Sequence, residues 1–407
     1  MKKSKIKYRS NRQKLIFLLI LSLFIAIYSW RLFNFQFEQK EGNVEIITTV
    51  KDEPTVYNNW QYFDADRYSI KARSEGIISV GDKLQIRGVA KKDRIENPKI
   101  KKIGTSIFYK KLFYLRNLLK QKILAYLPEP HSSLLAGVVI GSKEALPKDF
   151  KESLQKTGTI HVVVVSGYNI SVIGGFVLGL SRYIRRRVAL ILALILIIFY
   201  TLLVGAEAPA VRAAIMGVLA YSAVFLGRQH LSIYALLITG MIMVLVNPGV
   251  LTNIGFQLSF LATLGIILFR EKLNSFFKLL PKPFDEDLAT TIAAQSLVVP
   301  VIFYHFGSVS ALSPLANALV LWIIPLATIL GFILLIVSFL LPLVATFLSW
   351  IIWALLSIFV STIEMFAKIP IASFKFSSNE WLPVIFYYLI LAACIWYLKY
   401  GKLARTK

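Results

Sequence analysis

Nine apolar runs follow one another along the C-terminal part of this sequence, at residues 159–180, 188–205, 210–227, 231–246, 251–269, 287–304, 311–341, 343–367 and 382–399. Each approaches or exceeds the length a helix needs to cross hydrocarbon. Inside a bilayer a backbone can satisfy its own N–H and C=O groups only as a helix or a closed barrel, so runs of this kind predict a mostly α, polytopic helical bundle. An apolar content of 56% is above what soluble domains use. A further run, Leu15 to Trp30, follows a basic stretch. It has no small-x-small cleavage site, because Tyr28, Ser29, Trp30 and Arg31 follow Ala26, and it reads as an uncleaved signal anchor that brings the count to about ten spans. The run 311–341 is too long for one helix and holds Pro314 and Pro325, which predicts a broken span or a re-entrant pair.

The net charge of +24 has a topological part. The basic N-terminal tail, the loop RYIRRR, the turn GRQH, the segment REKLNSFFKLLPKP and the C-terminal tail all fall on one side if the spans alternate. That side carries the excess of Lys and Arg expected of a cytoplasmic face, which places both termini in the cytoplasm and the chain in the cytoplasmic membrane. The single Cys394 can build neither a disulfide framework nor a cysteine metal site. No HxH, HExxH or P-loop grouping is present, so no metal or other cofactor is expected and energy must come from another chain.

Four segments result: a basic tail and anchor at 1–35, an exported β domain at 36–105, amphipathic and short surface or re-entrant helices at 106–150, and a transmembrane domain at 151–407. Within the second, VEIITTV, RYSIKA, GIISV and KLQIRGVA read as short strands, and strands of this size and spacing suggest a small OB-like barrel. From Arg87 to Lys122 about a dozen Lys and Arg face only Asp93 and Glu96, interleaved with Phe108, Tyr109, Phe113 and Tyr114. Cations for phosphates and rings for bases are what a groove for single-stranded nucleic acid needs, and Arg87, Lys91, Lys92, Lys101, Lys102, Lys110 and Lys111 are its candidate contacts. The same residues from Ser106 to Leu127 also suit an amphipathic helix on anionic lipid. The following piece, SSLLAGVVIG, is too brief to span.

The stretch Thr157 to Gly175, TGTIHVVVVSGYNISVIGG, is apolar enough to enter a membrane yet carries a His, two Ser, an Asn, a Tyr and several Gly. Unpartnered polar groups are costly in hydrocarbon, so these must face protein, water or a translocated substrate. On a helical wheel His161 and Tyr168 share one face while Ser166 and Asn169 lie elsewhere. Either this helix is central to the bundle or it unwinds at Ser166-Gly167. Glu207, in GAEAPAVRA, stands five residues before Arg212 across Pro209, a spacing that suits a structural pair or leaves Arg212 to guide phosphates. Gln257, Ser259, Gln295 and Asn317 are uncharged groups suited either to interhelical hydrogen bonds or to a wet, neutral lumen that passes a polyanion without trapping it. A rival reading makes Ser166 a nucleophile and His161 its base, in an intramembrane serine hydrolase. Their spacing on one helix turns them apart, and no acid lies nearby to orient the imidazole.

The order of these motifs resembles the ComEC family, the inner-membrane channel of natural competence. TGTIHVVVVSGYNISVI resembles the family's TG-x-x-H-x-x-x-x-SG segment, and GAEAPAVRAAIMGVLAY its RA-x-x-M segment. NPGVLTNIGFQLSFLATLGI resembles its GFQLSF segment, and AAQSLVVPVIFYHFGSVSALSPLANALVLWIIP its Q-x-x-x-x-P...FG segment. The resemblance implies passage of one DNA strand to the cytoplasm, along a path on which His161, Ser166, Gly167, Tyr168, Asn169, Arg212, Gln257, Ser259, Gln295 and Asn317 lie. Membrane lipid, an outer DNA receptor, a cytoplasmic ATP-driven helicase and a separate nuclease are the partners it implies, with no catalytic residue on this chain. Asn169 stands where many members place a second His, and the chain stops before the metallo-β-lactamase-like domain that many members carry. A transporter of another anionic polymer or lipid-linked substrate is the alternative.

Overall fold

Apolar residues alternate with polar ones in the N-terminal part of the chain, and that period of two is realised as strands. In the computed structural model the described residues are 22, 25–31, 33–35, 41–51, 53–57, 60–65, 68–73, 78–91, 94–142, 146–163, 167–227, 231–282, 284–369, 373–375 and 381–400. They fall into two compact units: residues 1–111 with 238–253, and residues 112–237 with 254–407.

The first unit holds a six-stranded sheet of β1 (Gly42–Thr49), β2 (Thr55–Tyr57), β3 (Trp60–Ala65), β4 (Tyr68–Arg73), β5 (Asp82–Lys91) and β6 (Arg94–Thr105), in the order β1-β5-β6-β4-β3-β2. All pairs are antiparallel except β4 with β6. Phe63, Ala65, Ile70, Ala72, Leu84, Ile86, Ala90 and Ile95 alternate inward to form its core. Two corrections to the sequence reading follow. GIISV is not a strand, since its described residues 78–80 form a loop and turn, whereas Trp60–Ala65 and Arg94–Thr105 are strands that the reading missed. Gly88 sits at a register shift between β5 and β6, where a Cβ would come within 2.4 Å of Ile95 Cγ2 and 2.9 Å of Glu96 O. Also in this unit, Arg31 donates to Val246 O at 2.9 Å, tying the N-terminal apolar segment to the end of a later helix; most of the expected anchor, 15–30, lies outside the described residues.

Asp82 opens β5 with a side chain only 1% exposed, 2.7 Å from Lys102 Nζ. Burial by itself would raise its carboxyl pKa. The Lys102 ammonium, the Ser79 N–H and the Ser79 hydroxyl outweigh burial and hold the carboxyl below its ordinary value. A depressed carboxylate stabilises the fold above its unfolded pKa, about 4, and that contribution is lost as the pH falls through the lower folded value. Thermal unfolding of the chain in detergent is therefore expected to show Asp82→Asn less stable than wild type at neutral pH, with the gap closing below about pH 4. A gap unchanged with pH would mean that the carboxylate charge contributes nothing.

The second unit is helical, and of the helices that follow only residues 107–111 and 238–246 belong to the first unit. From α1 (Ile107–Tyr126) the chain enters α2 (His131–Ile140), α3 (Lys148–Lys156), a 3-10 turn at Ile160–Val162 and α4 (Gly167–Gly179). Then come α5 (Arg186–Leu203), α6 (Ala208–Phe225), α7 (Ser232–Val246), α8 (Ile254–Phe276), α9 (Phe284–Phe306), α10 (Ser313–Val320), α11 (Ile323–Leu340), α12 (Pro342–Ala367) and α13 (Trp381–Tyr400), with a small β7–β8 pair of Ser308–Ser310 and Ser373–Lys375. The helix starts follow local chemistry: Pro209, Pro314 and the opening Pro342 all sit in first turns, where a missing N–H costs nothing.

Six helices among the described residues, α5, α6, α8, α9, α11 and α12, are long and apolar enough to cross a membrane, and four shorter apolar helices accompany them. The protein is a multi-pass membrane protein. Exposed Ile191, Ile195, Ile198, Ile329, Ile333, Ile336, Phe347 and Trp350 give these helices the greasy outer faces that lipid requires. Two expectations change and one is met. The run 159–180 is not one helix, because among its described residues only Gly167–Gly179 is α-helical, roughly 20 Å against about 30 Å of hydrocarbon. The run 311–341 is broken, as its length implied, into α10 and α11, with the seam at Leu321-Trp322 ahead of Pro325. The piece expected as a surface or re-entrant helix, α2, is not at the surface: every residue from Ser132 to Ile140 is buried, packed with Leu154, Ile323, Ala327, Leu356 and Phe359.

Candidate functional site

A buried ten-residue helix leaves carbonyls at its C-terminus that no water can reach, and the way α2 satisfies them organises the centre of the helical unit. Gly141, at φ +70°, turns the chain so that its N–H returns to Gly137 O at 3.0 Å and Ser142 N–H reaches Ala136 O. Asn169 Nδ2 then donates to Val138 O at 2.7 Å, Tyr200 OH to Val139 O at 2.9 Å, and Arg116 to Gly141 O at 2.6 Å. Asn169, expected to line a lumen, is 2% exposed and holds α4 to α2; its Oδ1 is buried with no partner among the described residues.

A second cluster forms around Gly158, whose φ of +70° suits glycine best. Its carbonyl accepts from His161 Nδ1 at 3.1 Å, which fixes the imidazole proton on Nδ1, and from Ser313 Oγ at 3.5 Å. Ser313 Oγ in turn accepts from Gln295 Nε2 at 2.7 Å and Asn317 Nδ2 at 3.2 Å. Residues from three separate segments, 158–161, α9 and the start of α10, thus meet at one hydroxyl. Asn317 Oδ1 and Ser310 Oγ are buried there without partners among the described residues.

Two further links cross the bundle. Arg212 on α6 donates from an NH group to Thr263 Oγ1 on α8, and the Thr263 hydroxyl donates in turn to Ser259 O at 2.9 Å. The Arg212 Nε is buried and unpartnered among the described residues. The start of α4 lies close by: a Cβ on Gly167 would be in ordinary contact, 3.4 Å from Ala213 Cβ and 3.7 Å from Arg212. His305 Nε2 on α9 lies 3.2 Å from Gln257 Oε1 on α8, an amide oxygen that can only accept. Glu207 precedes α6 as its N-cap residue, exposed, with its main chain extended. Ser166 and the Tyr168 side chain lie outside the described residues.

The expected outer contacts divide. Arg87 pairs with Glu45 at 2.9 Å, Lys91 with Glu96 at 2.8 Å and Lys102 with Asp82, whereas Lys101, Lys110 and Lys111 are exposed on β6 and α1. Hydrogen bonds from Arg87 and Gln85 depress the Glu45 carboxyl pKa, and Glu96 raises that of Lys91. Lys92 lies outside the described residues. Sequence reasoning missed Gly158, Tyr200, Thr263 and Ser313. A polar residue within a largely apolar run was the available signal for Tyr200 and Thr263, whereas Ser313, in SVSALSPLAN, carried no such signal.

Residues 138–400 match the Competence family of competence proteins, well over half of the chain. The chain belongs to that family. Its Competence segment begins inside α2 and takes in the polar clusters apart from Arg116, Ala136 and Gly137, while the N-terminal sheet lies before it. Among curated proteins the chain is similar to ComE operon protein 3 of Bacillus subtilis (strain 168), 26% identical over 214 residues, which are 52% of this chain and 27% of that protein. It is also similar to an uncharacterized protein of Aquifex aeolicus (strain VF5), 32% identical over 157 residues, 38% of this chain and 37% of that one. The protein YcaI of Escherichia coli (strain K12) is 29% identical over 94 residues, 21% of this chain and 12% of that one. The Competence-family chain thus aligns with well under two thirds of the length of these relatives. No solved structure matches it.

Proposed function

We propose that this chain conducts single-stranded DNA across the cytoplasmic membrane during natural transformation. The observation that carries the reading is the convergence of uncharged amides and hydroxyls, with Arg116 and Arg212, between helices whose outward faces are apolar. Such an interior offers a polyanion hydrogen bonds and few cations, enough to guide it and too little to hold it. Membership of the Competence family supports the same reading. The chain would act without a chemical step of its own: an outer receptor delivers DNA, a separate nuclease removes one strand, and an ATP-driven helicase pulls from the cytoplasm, where both termini lie. Three of the shorter apolar helices, α4, α7 and α13, would complete about ten membrane segments with the six long ones and the anchor. The single parallel pair β4–β6, flanked by antiparallel neighbours, supports an OB-like reading of the exported sheet.

Uptake of labelled DNA into a strain deleted for this gene tests the proposal. Uptake restored by the chain and competed by single-stranded DNA is expected; uptake equal with and without the gene overturns it, and transport indifferent to that competitor points to another anionic polymer. For the outer face, charge reversal at Lys101, Lys110 and Lys111 together is expected to weaken binding of single strands to the detergent-purified chain. The salt dependence should flatten by about two units of slope, since each phosphate contact on a single strand contributes about 0.7. Unchanged binding would leave α1 as a lipid-surface helix.

A further inference from the structure

Outside the basic stretch already described, the sheet carries a second surface. On β3 and β4 the residues that alternate away from the core are Trp60, Tyr62 and Asp64 on one strand and Ser69, Lys71 and Arg73 on the other, with Gln61, Phe63, Ile70 and Ala72 buried behind them. Asp64, at the far end across from Ser69, is the one acid among these outward residues. The register sets Trp60 directly across from Arg73 and Tyr62 across from Lys71. Lys71 Nζ lies 4.4 Å above the Trp60 ring centroid and 5.9 Å from that of Tyr62, and the Arg73 guanidinium lies 5.9 Å from Trp60. A cation centred over a ring shows that the ring presents its face, not its edge, to the outside. The indole and phenol stand two residues apart on one strand, about 6.6 Å, which leaves room for one flat group on each.

We propose that this face of β3 and β4 is a stacking platform for single-stranded nucleic acid, in which a base takes the place of the Lys71 ammonium on the Trp60 ring, a second base lies on Tyr62, and Lys71 and Arg73 turn to the neighbouring phosphates. The proposal rests on the reading that the exported sheet receives the DNA strand, and it assigns the non-electrostatic part of that binding. Stacking is indifferent to base identity because every base has a π-face. That suits a protein that must accept any sequence. A lipid surface fits less well, since anchoring at a bilayer needs rings that reach outward past their neighbours, and these two are only partly exposed, beneath cations.

The test is the anisotropy of a fluorescein-labelled thymidine oligonucleotide titrated with the detergent-purified full chain across a range of salt. Trp60→Ala should weaken binding about tenfold at every salt concentration with the slope unchanged, Trp60→Phe should recover most of the loss, and Lys71→Met should lower the slope by about 0.7. Thermal unfolding matching wild type establishes that the variants are folded. Wild-type affinity in folded Trp60→Ala overturns the platform while leaving the DNA reading intact. Failure of the wild-type chain to bind the oligonucleotide at all removes both. A Trp60→Ala effect confined to vesicles containing anionic lipid would overturn the proposal in favour of a membrane contact.

Discussion

Gly265→Leu is expected to leave almost no folded protein in the membrane, and even Gly265→Ala to lower the unfolding temperature in detergent by several degrees. Gly265 is buried on α8 where that helix lies against α9, and a Cβ built on it falls 2.2 Å from Ala293 O and 3.2 Å from Ala293 C. The obstacle is backbone, which cannot rotate away as a side chain can, so two 23-residue helices must part. Overpacking of a tight core costs about 1–3 kcal/mol, and each kcal/mol shifts the midpoint by about 2–4 °C in a protein of 150–250 residues. Parting α8 from α9 would also stretch the Gln257–His305 contact. Gly175→Ala is the matched control: it too is a helical glycine, but nothing lies within 4 Å of its Cβ position. Equal stability of the two alanine variants would show that α8 and α9 are not in backbone contact.

The second large effect separates function from fold. Arg212→Met should unfold at about the wild-type temperature while DNA uptake falls at least tenfold, the equivalent of about 1.4 kcal/mol or more. Arg212 is half-buried and pairs with no carboxylate among the described residues, so an apolar side chain of similar volume leaves no opposite charge uncompensated. Thr263 keeps its bond to Ser259 O without the arginine. What is lost is the cation standing among α4, α6 and α8, with one guanidinium nitrogen still seeking an acceptor. Arg212→Lys retains the charge without the planar fork and should retain part of the uptake. Full uptake by a folded Arg212→Met protein would place the DNA path elsewhere.

Much of this architecture could be read from the chain, and the exceptions share a physical cause. The ends of α5, α6, α8, α9 and α12 fall within three residues of the apolar runs, except the C-terminus of α8, which extends seven residues further, because long periodic hydrophobicity leaves few choices in a bilayer. The seam at Leu321-Trp322 was foreseeable as a break but not in position, since Pro325 fits within the first turn of α11. β6 escaped notice because Lys99, Lys101 and Lys102 mask the inward Ile95 and Ile100. Of the site, Gln295, Asn317, Gln257 and Arg212 were legible as polar residues in greasy company. The role of Asn169 was not: its partner is the Val138 carbonyl, a main-chain atom 31 residues away that leaves no trace in side-chain pattern.

The way α2 ends bears on how the chain is made. Its final carbonyls are answered by Asn169 and Tyr200, residues that leave the ribosome later than the helix itself. A ten-residue segment with exposed acceptors has no stable home in lipid by itself, so α2 must wait at the translocon or the headgroups until α4 and α5 arrive. Biogenesis of this protein therefore includes a post-insertional step, in which a segment synthesised early is drawn in by neighbours synthesised after it.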